Sequence, residues 1–335
     1  MAKRFDIRSY LRFSFSRYET FFLNSLIMIF LIISTLFVIE SVLERYNKKN
    51  KIYHQQNLKI NQRNKQYASK NPYGFTDRLH PYKKRKDQTR IAVLGGSFIW
   101  GDGLPYELTW GHLLKKKNIE KDPFISTMLW GQNGWESVDE FRFYKEEGVN
   151  YDVDILIIGW VNNDVNLGTI KMENYKSLIK RYSGYLVTFF PNFIELVSSV
   201  EEKMYFTFAG NQNAYVDWLT SLYSDENLSN YMNLVVDFDS ILKKQSLPYF
   251  YVFTPNNHSP TDLWYYKKVS SLFKKHNIPF IDLSETIGDK LGHYTLEELK
   301  SNPVNWHPGP IVTDYISTEV MAYLLENYGD VLKLN

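Results

Sequence analysis

The hydrophobic pattern divides the chain into three regimes. From Thr20 to Ile39 the sequence TFFLNSLIMIFLIISTLFVI carries no charge, and only Asn24, Ser25, Ser34 and Thr35 interrupt its apolar interior. About 20 such residues match the thickness of a bilayer core. A buried helix of that length would show a polar face, so the pattern predicts a membrane span over residues 20–43, behind a tail at 1–19. Residues 44–88 are polar and rich in Lys, Asn, Gln and Tyr, which reads as a stalk and domain entry. Beyond them, short apolar runs alternate with amphipathic stretches. RIAVLG (90–95), FISTML (124–129), DILIIGW (154–160), PYFYVFT (248–254) and IPFIDL (278–283) are candidate strands. Several are continuously apolar, as parallel strands buried on both faces are.

Helical patterns lie between these runs, at Trp110–Lys117, Ser137–Glu147, Leu228–Lys244, Asp262–His276 and Val312–Tyr328. Thr295 with Glu298 makes a capping-box pattern that predicts a further short helix. The alternation predicts a doubly wound α/β domain over 89–335, with a mainly five-stranded parallel sheet and helices on both faces. Residues 167–227 lack a central strand and are aromatic and helical in places, so they read as an insertion or cap near the site.

Composition narrows the chemistry. The 335 residues carry a formal net charge of +2, which gives no electrostatic footprint for nucleic acid. Cysteine is absent, excluding disulfides, thiolate catalysis and Cys-based zinc sites. Lys3, Arg4, Arg8, Arg12 and Arg17 precede the span, while Arg45, Lys48, Lys49 and Lys51 follow it, so the positive-inside rule nearly cancels. No small-residue cleavage motif follows the span. The expectation is a retained single-pass anchor with a cytoplasmic N-terminus and the bulk of the protein outside. The basic stalk either lies against anionic lipid or acts as a solvated spacer.

In a doubly wound sheet, ligands bind beyond the carboxyl ends of the strands. The first candidate strand ends in Gly95-Gly96-Ser97, within RIAVLGGSFIWGDGL. The second is followed by GQNGWES with Gly134, the third ends in GWVNND with Asn162, Asn163 and Asp164, and NWHPG places His307 just before the last helix. Each alone is ordinary: a serine after glycines is commonly a turn, Asn-Asp a cap, and His307 one of seven histidines. Their joint order is the informative feature. An α/β-hydrolase elbow would need Gly-x-Ser-x-Gly, and position 99 is Ile.

In that order, LGGSFIWGDG, GQNGWES, GWVNND and NWHPG resemble the four blocks of the SGNH hydrolases, also called GDSL esterases and lipases. NPYGFTDR, from Asn71, is similar to membrane-linked relatives. The resemblance implies an SGNH, flavodoxin-like three-layer fold, and a Ser97 nucleophile with His307 as general base. It also implies an oxyanion hole formed by the Ser97 N–H, the Gly134 N–H and the Asn163 side-chain amide. The residue types suit those roles: glycine admits close backbone approach, an Asn amide is a neutral donor, and imidazole titrates near neutrality.

Two positions depart from the family pattern. Gly96 stands where the first block usually has Asp. Asn305 and Val304 stand where an Asp would hold the histidine ring. Asn305 can accept the imidazole N–H but cannot match a carboxylate in stabilising imidazolium. The expected activity is therefore hydrolysis of carboxylic esters, O-acyl groups on lipids or envelope glycans, without metal or cofactor. His112 and Glu107, close in sequence, lack ligand spacing and read as surface residues. The competing expectations are an O-acyltransferase using the same acyl-enzyme, and a weak or inactive binding protein of the cell envelope.

Overall fold

The apolar runs do become strands: β1 Thr89–Gly95, β2 Ile125–Gly131, β3 Ile155–Trp160, β4 Tyr249–Phe253 and β5 Phe280–Asp282. The computed structural model describes residues 7–171, 177–208 and 214–333. The strands form one parallel sheet in the order β2-β1-β3-β4-β5. Every residue of β1 to β4 is buried, which is why the runs are continuously apolar rather than alternating.

The helices are α1 Ile7–Ala68, α2 Ser97–Trp100, α3 Trp110–Lys121, α4 Ser137–Glu146, α5 Leu178–Tyr182, α6 Leu186–Phe189, α7 Pro191–Phe208, α8 Ala214–Leu222, α9 Asp225–Lys244, α10 Pro260–Lys275, α11 Ile287–Leu291 and α12 Pro310–Leu332. On one face of the sheet Ala92, Leu94, Leu156 and Tyr251 pack against Phe141 of α4, Phe238 of α9 and Phe273 of α10. On the other, Ile91, Val93, Ile157 and Val252 meet Trp110 and Leu114 of α3 and Ile316 and Val320 of α12. This is the doubly wound three-layer α/β fold that the alternation predicted.

The chain divides into two compact units, residues 1–49 with 174–214, and 50–173 with 215–335. In the first, α1 carries the uncharged stretch, whose best window has a mean hydropathy of 2.7 and no buried residue. It is long and apolar enough to cross a membrane. In the same unit Phe37 meets Phe190 edge-on at 4.9 Å, and the Glu40 carboxylate accepts the Asn192 and Phe193 backbone N–H groups. The inserted segment is therefore shorter than the predicted 167–227. Trp218 donates to the Ile170 carbonyl inside the sheet unit, and Asn227 begins to anchor α9 there.

Two further expectations change. The polar stretch 44–88 is not a loose stalk throughout, because α1 runs unbroken to Ala68 and its residues from 50 onward belong to the sheet unit. The Thr295–Glu298 box does form, with both Thr295 donors on the Glu298 carboxylate, but it closes a single turn rather than a helix.

Candidate active site

The sheet order places the topological switch between β1 and β3, and the loops after these strands flank the crevice where such sheets bind ligands. Ser97 follows β1 directly as the first residue of α2. Gly96 permits this turn: a Cβ there would lie 2.6 Å from the Trp135 carbonyl oxygen, so an Asp at this position would collide with backbone. Glycine at this position thus has a steric cause. Gly101 then closes α2 in the left-handed region, φ +96, and Asp102 donates its N–H back to the Ser97 carbonyl. The turn thereby returns Asp102 to the side of Ser97.

His307 sits on the second strand of a small antiparallel ribbon, β6 Lys300–Asn302 and β7 Asn305–Pro308. Asn256 donates to the Trp306 carbonyl and Lys300 lies 3.3 Å from the Trp306 ring centroid, which fixes the ribbon. Pro310 then opens α12 at a position where a missing N–H costs nothing. Across 210 residues of sequence, His307 Nε2 lies 2.9 Å from Ser97 Oγ, and Nδ1 lies 2.7 Å from Asn305 Oδ1.

The hydrogen-bond directions in this cluster determine one another. Asn305 Nδ2 reaches two acceptors, Asn57 Oδ1 at 2.9 Å and Asp102 Oδ1 at 3.2 Å. A carboxylate can only accept, so the Asn305 nitrogen faces Asp102 and its oxygen faces His307. His307 Nδ1 must then carry the proton, leaving Nε2 to accept the Ser97 hydroxyl. Burial lowers the His307 pKa below its ordinary 6.5, against an opposing pull from the Asp102 charge, so the ring is a free base at neutral pH. Asp102 Oδ2 stands 4.0 Å from Nε2, and the carboxylate also receives Asn61 at 2.7 Å and Asn133 at 3.2 Å.

Sequence reasoning passed over Asp102 and the polar face of α1. Asn57, Asn61 and Asn64 are spaced i, i+4 and i+7, one helical face. All three meet this region: Asn64, fully buried, donates to the Gly101 and Leu104 carbonyls, and Asn61 accepts the Gly103 N–H. The spacing was legible in QQNLKINQRN. Nothing in that stretch said that it faced a site.

The predicted anion-stabilising groups lie at the same carboxyl edge of the sheet. Gly134 holds a left-handed conformation, φ +84, in the turn where Trp135 N–H returns to the Gln132 carbonyl. A Cβ there would meet nothing within 4 Å, so backbone conformation rather than crowding is what selects glycine. Asn163 lies in the turn after β3, whose shape is set by Asp164 accepting the Val161 N–H at 2.7 Å. Asn166 donates to Glu136 at 2.8 Å and ties this loop to the one after β2. His112 is not a surface residue: its Nε2 lies 2.6 Å from the Thr76 carbonyl oxygen, and burial lowers its pKa. Glu107 is exposed and pairs with Arg63. Among the described residues no cluster of His, Asp and Glu has the arrangement of a metal site.

No family model matches the chain, and no curated protein matches it. Solved structures do. A GDSL-like lipase from Bacteroides thetaiotaomicron is 11% identical, with a TM-score of 0.42 over 78% of this chain and 97% of its own. The lipase/acylhydrolase from Enterococcus faecalis is 14% identical, with a TM-score of 0.40 over 71% and 95%. The esterase EstA from a Pseudoalteromonas species is 13% identical, with a TM-score of 0.41 over 72% and 100%. Likeness at this level assigns neither substrate nor catalytic residues, so the chemistry has to come from the geometry above.

Proposed function

We propose that the chain is a membrane-anchored serine esterase of the SGNH type. The observation that carries this reading is the Ser97–His307–Asn305 alignment, with the neutral tautomer fixed from outside by Asp102. Ser97 Oγ attacks the ester carbonyl while Nε2 takes its proton. The oxyanion is held by the Ser97 and Gly134 N–H groups and the Asn163 amide. Collapse expels the alcohol, which leaves with the proton from Nε2, and the acyl group remains on Ser97. Water then repeats the sequence, releasing a carboxylic acid.

In this mechanism two residues share what a single aspartate does elsewhere. Asn305 orients the ring through Nδ1, and Asp102 supplies negative charge close to Nε2. The uncharged span at the N-terminus and the domain that follows suit O-acyl groups on lipids or envelope glycans, with the N-terminus cytoplasmic and the domain outside the cell membrane. The test uses the full chain in detergent, with p-nitrophenyl acetate and a fluorophosphonate probe. Wild type should turn over and be labelled at Ser97, and Ser97→Ala should lose both. Turnover by Ser97→Ala equal to wild type, with no labelling of the wild-type chain, would refute the reading.

A further inference from the structure

Within the first unit, the inserted helices expose an apolar surface that the chemistry above does not use. On α7, Leu196, Val200, Met204 and Phe208 recur every fourth residue and are 46%, 50%, 52% and 83% exposed. Before it, Tyr185 is 88% and Phe189 61% exposed. Exposed apolar surface of this extent marks an interaction site.

Several polar groups of this hairpin are matched internally. Glu201 accepts from Ser177 Oγ and from the Leu178 and Ile179 N–H groups, capping α5, and Glu195 pairs with Lys180 at 2.6 Å. On α7, Glu195, Glu201 and Glu202 lie off the Leu196–Val200–Met204 stripe and Lys203 borders it, where a long basic side chain can reach the headgroups, the pattern of helices that lie in a membrane interface.

We infer that residues 178–208 lie in the same bilayer that α1 crosses, with the Leu196–Val200–Met204 stripe against acyl chains. This rests on the reading of 20–39 as a span. Continuity with α1 selects lipid as the occupant. Glu40 is the first charge after the uncharged stretch; the residue is buried, and the N-terminus of α7 caps its carboxylate. Phe37 stacks edge-on with Phe190, and Asn47 donates to the Asn192 side chain. α7 therefore starts at the depth where the apolar part of α1 ends. A carboxylate at that depth is tolerable because the helix N-terminus satisfies it. The tyrosine and phenylalanine side chains before α7 fall where aromatic belts form.

The chain has no cysteine, so single cysteines can report position directly. Ile29→Cys, Phe189→Cys, Leu196→Cys, Val200→Cys, Ser199→Cys and Glu202→Cys would each carry an environment-sensitive fluorophore. The full chain would be reconstituted in phosphatidylcholine vesicles with nitroxide-bearing acyl chains. Labels at 189, 196 and 200 should be quenched like the label at 29, and several-fold more than those at 199 and 202. An unquenched label at 29 would remove the span itself, and the inference with it. Quenching at 29 with iodide-accessible labels at 189, 196 and 200 would place the insertion in water and overturn the inference alone. Shielding of those labels from both iodide and nitroxide would mean that protein, not lipid, covers the stripe, and would overturn it equally.

Discussion

Replacing Asp102 with Asn keeps the shape of the side chain and removes its charge from beside His307. The charge matters when the ring is imidazolium, between removal of the Ser97 proton and its delivery to the leaving alcohol. Two unit charges 4 Å apart at an effective dielectric near 20 interact by about 4 kcal/mol. Here the separation is 4.0 Å, but the side chains are 28% and 19% exposed, and Asn61, Asn133 and Asn305 already donate to the carboxylate. Solvent and these donors reduce the net effect to roughly 1–2 kcal/mol, or a loss of about 5–30-fold in kcat. The pH profile gives an independent sign. Burial lowers the His307 pKa and Asp102 opposes that, so losing the carboxylate lowers the pKa further. The acid limb of kcat/KM should move to lower pH while the plateau falls. Titrating the acid released from a simple alkyl acetate across the acid limb, for wild type and Asp102→Asn, measures both. An unchanged plateau, or a limb that moves to higher pH, would refute the charge argument. A purely structural disturbance would lower the plateau without the downward shift.

Three further outcomes follow from neighbouring groups. Asn305→Asp puts a carboxylate on Nδ1 but also sets it beside Asp102 Oδ1, now 3.2 Å from the amide; the acid limb should rise, and combining it with Asp102→Asn should recover stability non-additively in a double-mutant melting experiment. Burial alone would raise the Asp77 pKa, yet His80 and Lys115 outweigh it and hold the carboxyl at about 2, from 3.8. Its depressed pKa contributes about 2 kcal/mol above pH 3.8 that is lost as pH falls through 2, so Asp77→Asn should flatten acid unfolding followed by circular dichroism. Glu140 and Asp164 are fully buried, and neither Glu140 oxygen has a hydrogen-bond partner among the described residues. Burial, with Asp164 adding to it for Glu140, raises both pKa values, so stability present below pH 4 is lost as pH rises through the raised values. Glu140→Gln should therefore weaken the fall in the melting midpoint as pH rises above 4, followed by calorimetry.

The sheet was legible because burial on both faces writes itself as uninterrupted apolar runs, and the five runs are the five strands. Ser97 was legible because strand ends in such a sheet converge at one rim, whereas His307, on a separate ribbon, was brought in by the joint order of the four blocks and their resemblance to the SGNH hydrolases. What stayed hidden depends on tertiary partners. The second half of α1 is helical although NKKNKIYHQQNLKINQRNKQ has no strong apolar periodicity, and its asparagines bond to Gly101, Asp102, Gly103 and Asn305. Asp102 lay inside the first stretch singled out. Its residue type and spacing did not single it out, and only the return of the chain after α2 brings it to the histidine.

An asparagine in place of an aspartate on Nδ1 is therefore not equivalent to the absence of a charge beside the ring. A carboxylate on Nδ1 raises the basicity of the ring, which helps proton removal from the serine and hinders proton return to the alcohol. With a neutral amide on Nδ1 and burial as the leading influence, His307 has a lowered pKa, which in the proposed mechanism favours giving the proton back to the alcohol. The charge that stabilises imidazolium sits instead 4.0 Å from Nε2, on the side of the ring where the proton travels. The same carboxylate prevents the Asn305 amide from turning, because a rotated amide would set its oxygen against Asp102 and its N–H₂ against the ring proton. In the proposed mechanism Asp102 thus fixes tautomer and charge together, and the asparagines of α1 that hold it support the chemistry from outside the Ser97–His307 pair.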